Sequence, residues 1–441
     1  MNFKLGTIAT ATVAILMLSF GGNAMADSTD DIVNILVAKG VLTEEEGALI
    51  RNSRTDEKEA NAKRAKKIPK ITTKGKLKIE GSDGNWSFQP IGRVMWDAID
   101  TDEDGSGTEG IGGTELRRAR LGFQGTIYDY GYKFEADFAG GDVSIKDAYV
   151  SYGTKLDVLG GNKFGVKLGQ SHIPFGLNTK ISSKYMSFMD RPLFADSTIS
   201  PARESGAVVS LADPEYKWAL AAGITNGEID GGGTNNNGST FAVRGSFVPY
   251  MQDKTHLVQI GGGYLTKGGG DDFRFRQRLV SHEDQTRHID TGTLTDFDGA
   301  DAFTVDAMGI FGSFHAMAEY VDYSAEIGSA SDVDIDGYVV EAGYFLTGES
   351  LVWKNGYTSG IKPKSMLGAW QVAARFESLE IDGGTAATTD EADKFSIGLN
   401  YYPHQNLRFM LNYDKITDLT KNGADVDFEP SALKFRAQAH W

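Results

Sequence analysis

The sequence predicts an all-β chain that closes into a transmembrane antiparallel β-barrel of about 16 strands, preceded by a short helical segment. Three observations carry this prediction. Apolar and polar residues alternate in many short runs, the connections between runs alternate between very short and long, and the N-terminus reads as an export signal. The last run shows the alternation most plainly. Leu433, Phe435, Ala437, Ala439 and Trp441 share one parity, and Lys434, Arg436, Gln438 and His440 take the other. Successive strand residues point to opposite faces, so this segment has one apolar face and one wet face.

At the N-terminus, Lys4 supplies a positive start, residues 5–20 an apolar stretch, and Ala24-Met25-Ala26 a small-x-small cleavage pattern. Residues 1–26 are therefore expected to be a signal peptide. A membrane-anchoring helix needs about twenty apolar residues, and this run is shorter and broken by Gly21, Gly22 and Asn23. Removing Lys4, the one charged residue of the segment, takes the formal net charge from −16 to −17. The absence of cysteine excludes a disulfide framework and a thiolate metal site. Mean hydropathy is low, at −0.29, as it is in any barrel that hides its apolar residues in alternation.

Residues 27–74 are expected to form a periplasmic helical segment and linker. Ile32, Leu36 and Val37 are spaced for a short amphipathic helix that stops near Gly40. Thr43 then caps a second helix, with Glu46 at the capping-box position. The dense charge from Arg51 to Lys67 suits either a solvated helix or a short oligomerisation stalk.

From residue 75 to Trp441 the chain is expected to be barrel. Trp86, Phe88, Val94 and Trp96 oppose Gln89, Arg93 and Asp97, and an acidic, glycine-rich loop follows from Asp100 to Gly113. Ala119, Leu121, Phe123 and Ile127 oppose Arg118, Arg120 and Gln124, and this parity gives Arg117 the lipid side, so it is expected to snorkel at the rim or to sit before the regular strand begins. Tyr130 to Phe138 sets aromatics against Lys133, Glu135 and Asp137. Similar runs follow at 145–152, 163–170, 205–212, 216–225, 240–248, 255–266, 272–280, 302–311, 313–323, 337–347, 366–379, 393–402 and 406–415. They bring the candidates to seventeen, one more than the even number such barrels use. In the run 272–280, Arg274, Arg276 and Arg278 alternate with Phe273, Phe275 and Gln277, so the three guanidiniums are expected to stand in a column facing the lumen. Facing lipid at the bilayer midplane would cost about 2–4 kcal/mol each.

Ser171 to Arg203 is the longest interior insertion. It holds Lys180, Lys184, Arg191 and Arg203 together with Tyr185, Met186, Phe188, Met189, Leu193 and Phe194. An exposed loop gives so many large apolar groups nothing to pack on. The segment 171–203 is thus expected to fold into the barrel as a constriction loop, the other reading being an outer loop packed on a neighbouring subunit.

Several short stretches, in their order and spacing, resemble the phosphate-selective porin O/P family of outer-membrane channels. They include Ile91-Gly92-Arg93, residues 115–123 (ELRRARLGF), residues 173–177 (IPFGL), Ser182-Ser183-Lys184-Tyr185, Phe273-Arg274-Phe275-Arg276 and residues 344–349 (YFLTGE). The resemblance runs from about residue 30 to Trp441. It implies a sixteen-stranded barrel in the bacterial outer membrane, a homotrimer among lipid and lipopolysaccharide, and a pore whose cations pass small anions such as phosphate. It also implies pathway roles for Arg93, Arg117, Arg118, Arg274, Arg276 and Arg278 and for lysines near the constriction, where Lys180 and Lys184 stand; lumen parity adds Arg120, and the folded-in loop adds Arg191 and Arg203.

The acidity of the chain departs from that picture. Asp97, Glu135, Asp137, Glu319, Glu341 and Asp414 have lumen parity, and acidic rings favour cations. Much of the remaining acid is expected in outer loops, as at 100–109, 296–301, 332–336 and 390–393, beyond a Debye length of about 8 Å from the constriction. Asp100 to Gly105 begins like a calcium loop, but Ile111 stands where a bidentate Glu is needed. The seven histidines are scattered without a nucleophile partner. No cofactor, metal, nucleic-acid partner or reaction is expected. The sequence reads as a passive diffusion channel, probed against two alternatives: a general porin of weak or cation selectivity, and a plugged structural barrel.

Overall fold

The computed structural model describes residues 28–65, 68–102, 112–195, 198–227, 238–283, 287–328, 331–383, 389–421 and 423–441. The signal peptide expected at 1–26 and most of the acidic loop after Asp100, including Ile111, lie outside these residues.

The N-terminal unit contains two helices, α1 (Ser28–Ala38) and α2 (Glu44–Ala65). The capping box is made in full: Thr43 N donates to Glu46 Oε2 at 2.8 Å, and Glu46 N donates to Thr43 Oγ1 at 3.1 Å. Val33 is buried where the two helices meet, and Arg51 donates to Asn34 at 2.9 Å.

In the second unit, sixteen antiparallel strands close the ring. The first seven are β1 (Trp86–Asp102), β2 (Gly112–Ile127), β3 (Tyr130–Asp137), β4 (Ser144–Leu156), β5 (Asn162–His172), β6 (Arg203–Ala212) and β7 (Trp218–Thr225). The taller half has β8 (Thr240–Asp253), β9 (His256–Phe273), β10 (Leu294–Phe311), β11 (Phe314–Ile327) and β12 (Val333–Phe345). It ends with β13 (Ala369–Asp382), β14 (Thr389–His404), β15 (Leu407–Lys421) and β16 (Ser431–His440). Each strand pairs with the next, and β16 pairs with β1 from Ser431↔Asp102 to His440↔Arg93. The ring is closed, which leaves no strand edge unpaired in a solvent that cannot hydrogen-bond it. Trp441 adds two more bonds, exchanging N–H and C=O with Gly92 at 3.1 and 3.2 Å. Its indole lies where a side chain on Gly92 would stand, so that position tolerates only glycine.

Burial is inverted relative to a soluble protein. In β16, Lys434 and Arg436 are 1% and 0% exposed, while Leu433 and Phe435 are 50% and 37% exposed. Apolar faces thus point outward and polar faces inward around the ring, as a lipid solvent requires.

Two expectations need correction. The run 272–280 is not a barrel strand: β9 ends at Phe273, and Arg276–Gln277 pairs only with Ile289–Asp290 inside the long connection 274–293. That removes the seventeenth candidate. The acidic stretches near 296–301, 333–336 and 390–393 are not loops but the outer ends of β10, β12 and β14, whose strands run longer than alternation alone suggested. In addition, one connection at the short-turn end, residues 346–368, is long and carries a small hairpin, Val352–Lys354 with Tyr357–Ser359.

The described residues of the segment 173–202, with the short helix α3 (Leu177–Lys180), pack against lumen-facing side chains of the ring. Toward the end carrying the long loops, its Ile173, Phe175, Leu193, Phe194 and Ile199 pack with Phe275, Leu279 and Val280 of the connection 274–293. Lumen-facing Val321, Ile335 and Leu379 complete this cluster. Toward the turn end, its Leu177, Ile181 and Met186 pack with Leu351, Trp353 and Ile361 of the hairpin segment. Gly337 makes room on β12 for Phe194, whose Cβ would lie 2.9 Å from any added side-chain carbon. The side of the lumen bounded by β8–β15 is therefore a packed core, and open space is left along β1–β7.

Candidate functional site

Polar groups of the ring hold the inner segment in place. Glu319 accepts from Leu177 N and Asn178 N at 2.5 and 2.7 Å, and Glu377 accepts from Leu193 N at 2.7 Å. Arg408, Arg375 and Arg436 donate to the carbonyls of Met186, Asp190 and Met189 at 2.6, 2.9 and 2.7 Å. Arg436 also makes a two-pronged ion pair with Asp97, at 2.7 and 2.6 Å. Lys434 joins Asp190 to Asp414.

The space left open consists of cavities that share lining residues from one end of the barrel to the other. The outer one, about 410 Å³, is lined by Arg117, Arg118, Asp190, Arg191, Arg278 and Arg287 among others. It shares Arg118 and Arg191 with a narrow middle cavity of about 170 Å³. That neck is bounded by Arg93, Arg118, Arg120, Lys146, His172, Ser182, Ser183, Arg191, Ala202 and Arg203, with no carboxylate among its lining residues. It shares Arg93, His172, Ser182 and Arg203 with an inner cavity of about 560 Å³, where Lys76, Lys133, Lys180, Lys184, Lys354 and Lys362 gather. A further chamber of about 670 Å³ adds Lys163, Lys167 and Arg244 and meets the inner one at His172 and Lys180.

Family membership is decided by comparison with known proteins. The chain belongs to the phosphate-selective porin O and P family, whose model matches residues 88–441. Porin O of Pseudomonas aeruginosa is 27% identical over 400 residues, covering 81% of this chain and 89% of that protein. An uncharacterised protein of Caulobacter vibrioides is 29% identical over 373 residues, covering 80% of this chain and 72% of its own length. Among solved structures, an anion-selective porin from Comamonas acidovorans superimposes with a TM-score of 0.53 at 12% identity, covering 81% of this chain and 100% of that one. The channel DcaP of Acinetobacter baumannii gives 0.50 at 13% identity, covering 81% and 98%. The protein is a porin of the bacterial outer membrane.

Within this porin, the residues singled out from sequence divide in two. Arg93, Arg117, Arg118, Arg120, Lys180, Lys184, Arg191, Arg203 and Arg278 line these cavities. Arg274 and Arg276 do not; both are exposed in the connection 274–293, where Arg274 pairs with Asp290 at 2.8 Å.

The lipid-side placement of Arg117 is corrected by a β-bulge. Met95 pairs with Arg118 and Trp96 with Leu116, so Arg117 is the extra residue and turns toward the outer cavity, 4.0 Å from Glu115. Lys146 is a second case: Glu135 pairs with Asp147 and Ala136 with Ile145, leaving Lys146 as the bulged residue beside the neck. A bulge opposes two residues to one and re-aims a side chain, which strict parity counting cannot see. Lys133 carried the lumen signal in its alternation, whereas His172, at the end of β5, gave none.

Three lumen carboxylates, Glu135, Asp137 and Asp147, pair with cations that line the cavities. Glu135 holds Arg93 at 2.9 Å and Arg120 at 3.2 Å, Asp137 holds Arg120 at 2.7 Å, and Asp147 holds Lys133 and Arg203 at 2.7 and 3.1 Å. Such pairs orient a guanidinium fork and leave donors pointing into the cavity. Other cations rest on aromatic faces: Lys163 over Tyr216, Lys167 over Tyr149, Lys180 over Tyr357 and Lys184 over Tyr185. Among the described residues, no carboxylate pairs with any of these four lysines. Burial, reinforced by Lys167, Arg244 and Arg203, pushes the Lys180 ammonium down to about 7. Burial, reinforced by Arg93, takes Lys184 down to about 8.

Proposed function

We propose that this porin conducts small anions, phosphate among them, along the β1–β7 side of its lumen. The observation that carries this reading is the neck, five arginines and one lysine with no acidic lining residue. An oxyanion loses hydration there only as it gains forked, permanently charged donors. Lysines on either side of Lys180 then offer a broad positive field with weaker individual contacts, which favours release. The acidic total charge does not oppose this, because Asp97, Glu135, Asp137, Asp147 and Asp414 are each paired with a cation and the acidic stretches of β10, β12 and β14 lie at their outer ends. A homotrimer set among lipid and lipopolysaccharide belongs to the same proposal. So do removal of residues 1–26 on export and a periplasmic role for 27–74.

The test is the reversal potential of purified porin in planar bilayers under a KCl gradient, repeated with phosphate added. Anion-selective current that phosphate reduces supports the reading. Cation-selective current refutes the anion assignment, phosphate-indifferent anion current refutes the phosphate specificity, and no current marks a plugged barrel.

A further inference from the structure

At the loop end of the barrel, one cluster combines two carboxylates with an imidazole. Glu115 comes from β2, and His282 and Glu283 come from the connection 274–293; one ligand atom of each lies within 4.8 Å of the others. His282 Nδ1 stands 2.8 Å from Glu115 Oε2. Among the described residues, the second oxygen, Glu115 Oε1, is buried and has no hydrogen-bond partner, and Arg117 Nε lies 4.0 Å from it. The imidazole is 39% exposed, so an ion reaches it from the medium.

One imidazole with two carboxylates is a donor set for a first-row divalent ion such as Zn²⁺. Mg²⁺ and Ca²⁺ prefer oxygen ligands alone and would leave the imidazole unused. Zn–N and Zn–O bonds of about 2.0–2.2 Å set neighbouring ligand atoms about 3.5 Å apart, so the trio has to close by about 1 Å. Glu115 Oε1 supplies an acceptor that the fold itself leaves unsatisfied.

We propose that Glu115, His282 and Glu283 form a Zn²⁺-class site that ties the connection 274–293 to β2 at the outer mouth. The tie has a consequence for the lumen. Leu279 and Val280, just before the ligands, accept hydrogen bonds from Lys394 and Lys434 at 3.1 and 2.9 Å. Arg278 and Arg287 on the same connection line the outer cavity. An ion at the site therefore fixes that wall of the mouth and neutralises the carboxylates beside Arg117.

Isothermal titration of the folded, detergent-purified porin with ZnCl₂, and separately with MgCl₂, tests the site. The expected result is one Zn²⁺ per chain, no competing Mg²⁺ binding, and affinity weakened roughly tenfold or more in both His282→Ala and Glu283→Gln. Absence of Zn²⁺ binding, or variants that titrate like the parent, overturns the site. Should either variant fail to reach the heat-modifiable folded form, tryptic cleavage after Arg287 in the unaltered protein decides. Zn²⁺ is expected to slow it, and an unchanged rate overturns the tie.

Discussion

Arginines do two different jobs on the two sides of the lumen. On the packed side, Arg375, Arg408 and Arg436 are buried and spend their donors on carbonyls of the inner segment. On the open side, Arg93, Arg120 and Arg203 are held from behind by Glu135, Asp137 and Asp147 and border the cavities. Residue type is the same, and the difference is whether backbone carbonyls come within reach. Where residues 173–202 cross the ring, a guanidinium becomes an anchor; where they leave space, it becomes part of a cavity wall.

Breaking an anchor is expected to have the largest effect. Arg436→Leu leaves Asp97 buried without its partner and releases Met189 O, a loss of about 3–5 kcal/mol. Urea unfolding of the porin refolded into vesicles measures it, and a midpoint near that of the parent would contradict the anchoring role. A change on the open side should instead alter selectivity at little cost in stability. Arg118→Glu changes two units of charge, each worth about 1 kcal/mol at about 4 Å in water, so the anion-to-cation permeability ratio is expected to fall roughly tenfold or more. Among the described residues, Arg118 donates only to the sulfur of Met95, at 3.8 Å, which keeps its structural role small.

The comparison extends to pH. A lysine with its pKa lowered is charged below that value and neutral above it. Raising the pH through about 7 and about 8 removes the charges of Lys180 and Lys184 in turn. Anion selectivity should decline across that window, and the double variant Lys180→Gln, Lys184→Gln should show a flat profile at the lower value. Smallest of all is the effect expected from Arg274→Glu with Arg276→Glu. Both residues are exposed in an outer connection, so a change under about twofold that vanishes at high salt is expected. A large, salt-resistant shift would return them to the pathway.

Much of the barrel was legible in the sequence because a membrane barrel writes its solvent into every second residue. Lys434 and Arg436 against Leu433 and Phe435 already state which face is which, and Thr43 with Glu46 already states where a helix begins. The same rule misplaced Arg117, because one bulge shifts parity without leaving a mark in composition. It also turned Arg274, Arg276 and Arg278 into a barrel strand, because Phe273, Phe275 and Leu279 alternate to bury themselves in the cluster under the outer mouth rather than in lipid. Alternation reports that one face is apolar and is silent about what covers it.

The chain itself determined the ring, its polarity and the presence of surplus cations on the lumen face, all of which follow from local periodicity. Only the tertiary structure decided which cations anchor and which border open space. That choice depends on where residues 173–202, 274–293 and 346–368 settle inside the ring. Their positions are fixed by contacts between residues far apart in sequence, such as Leu177 with Glu319 and Met189 with Arg436.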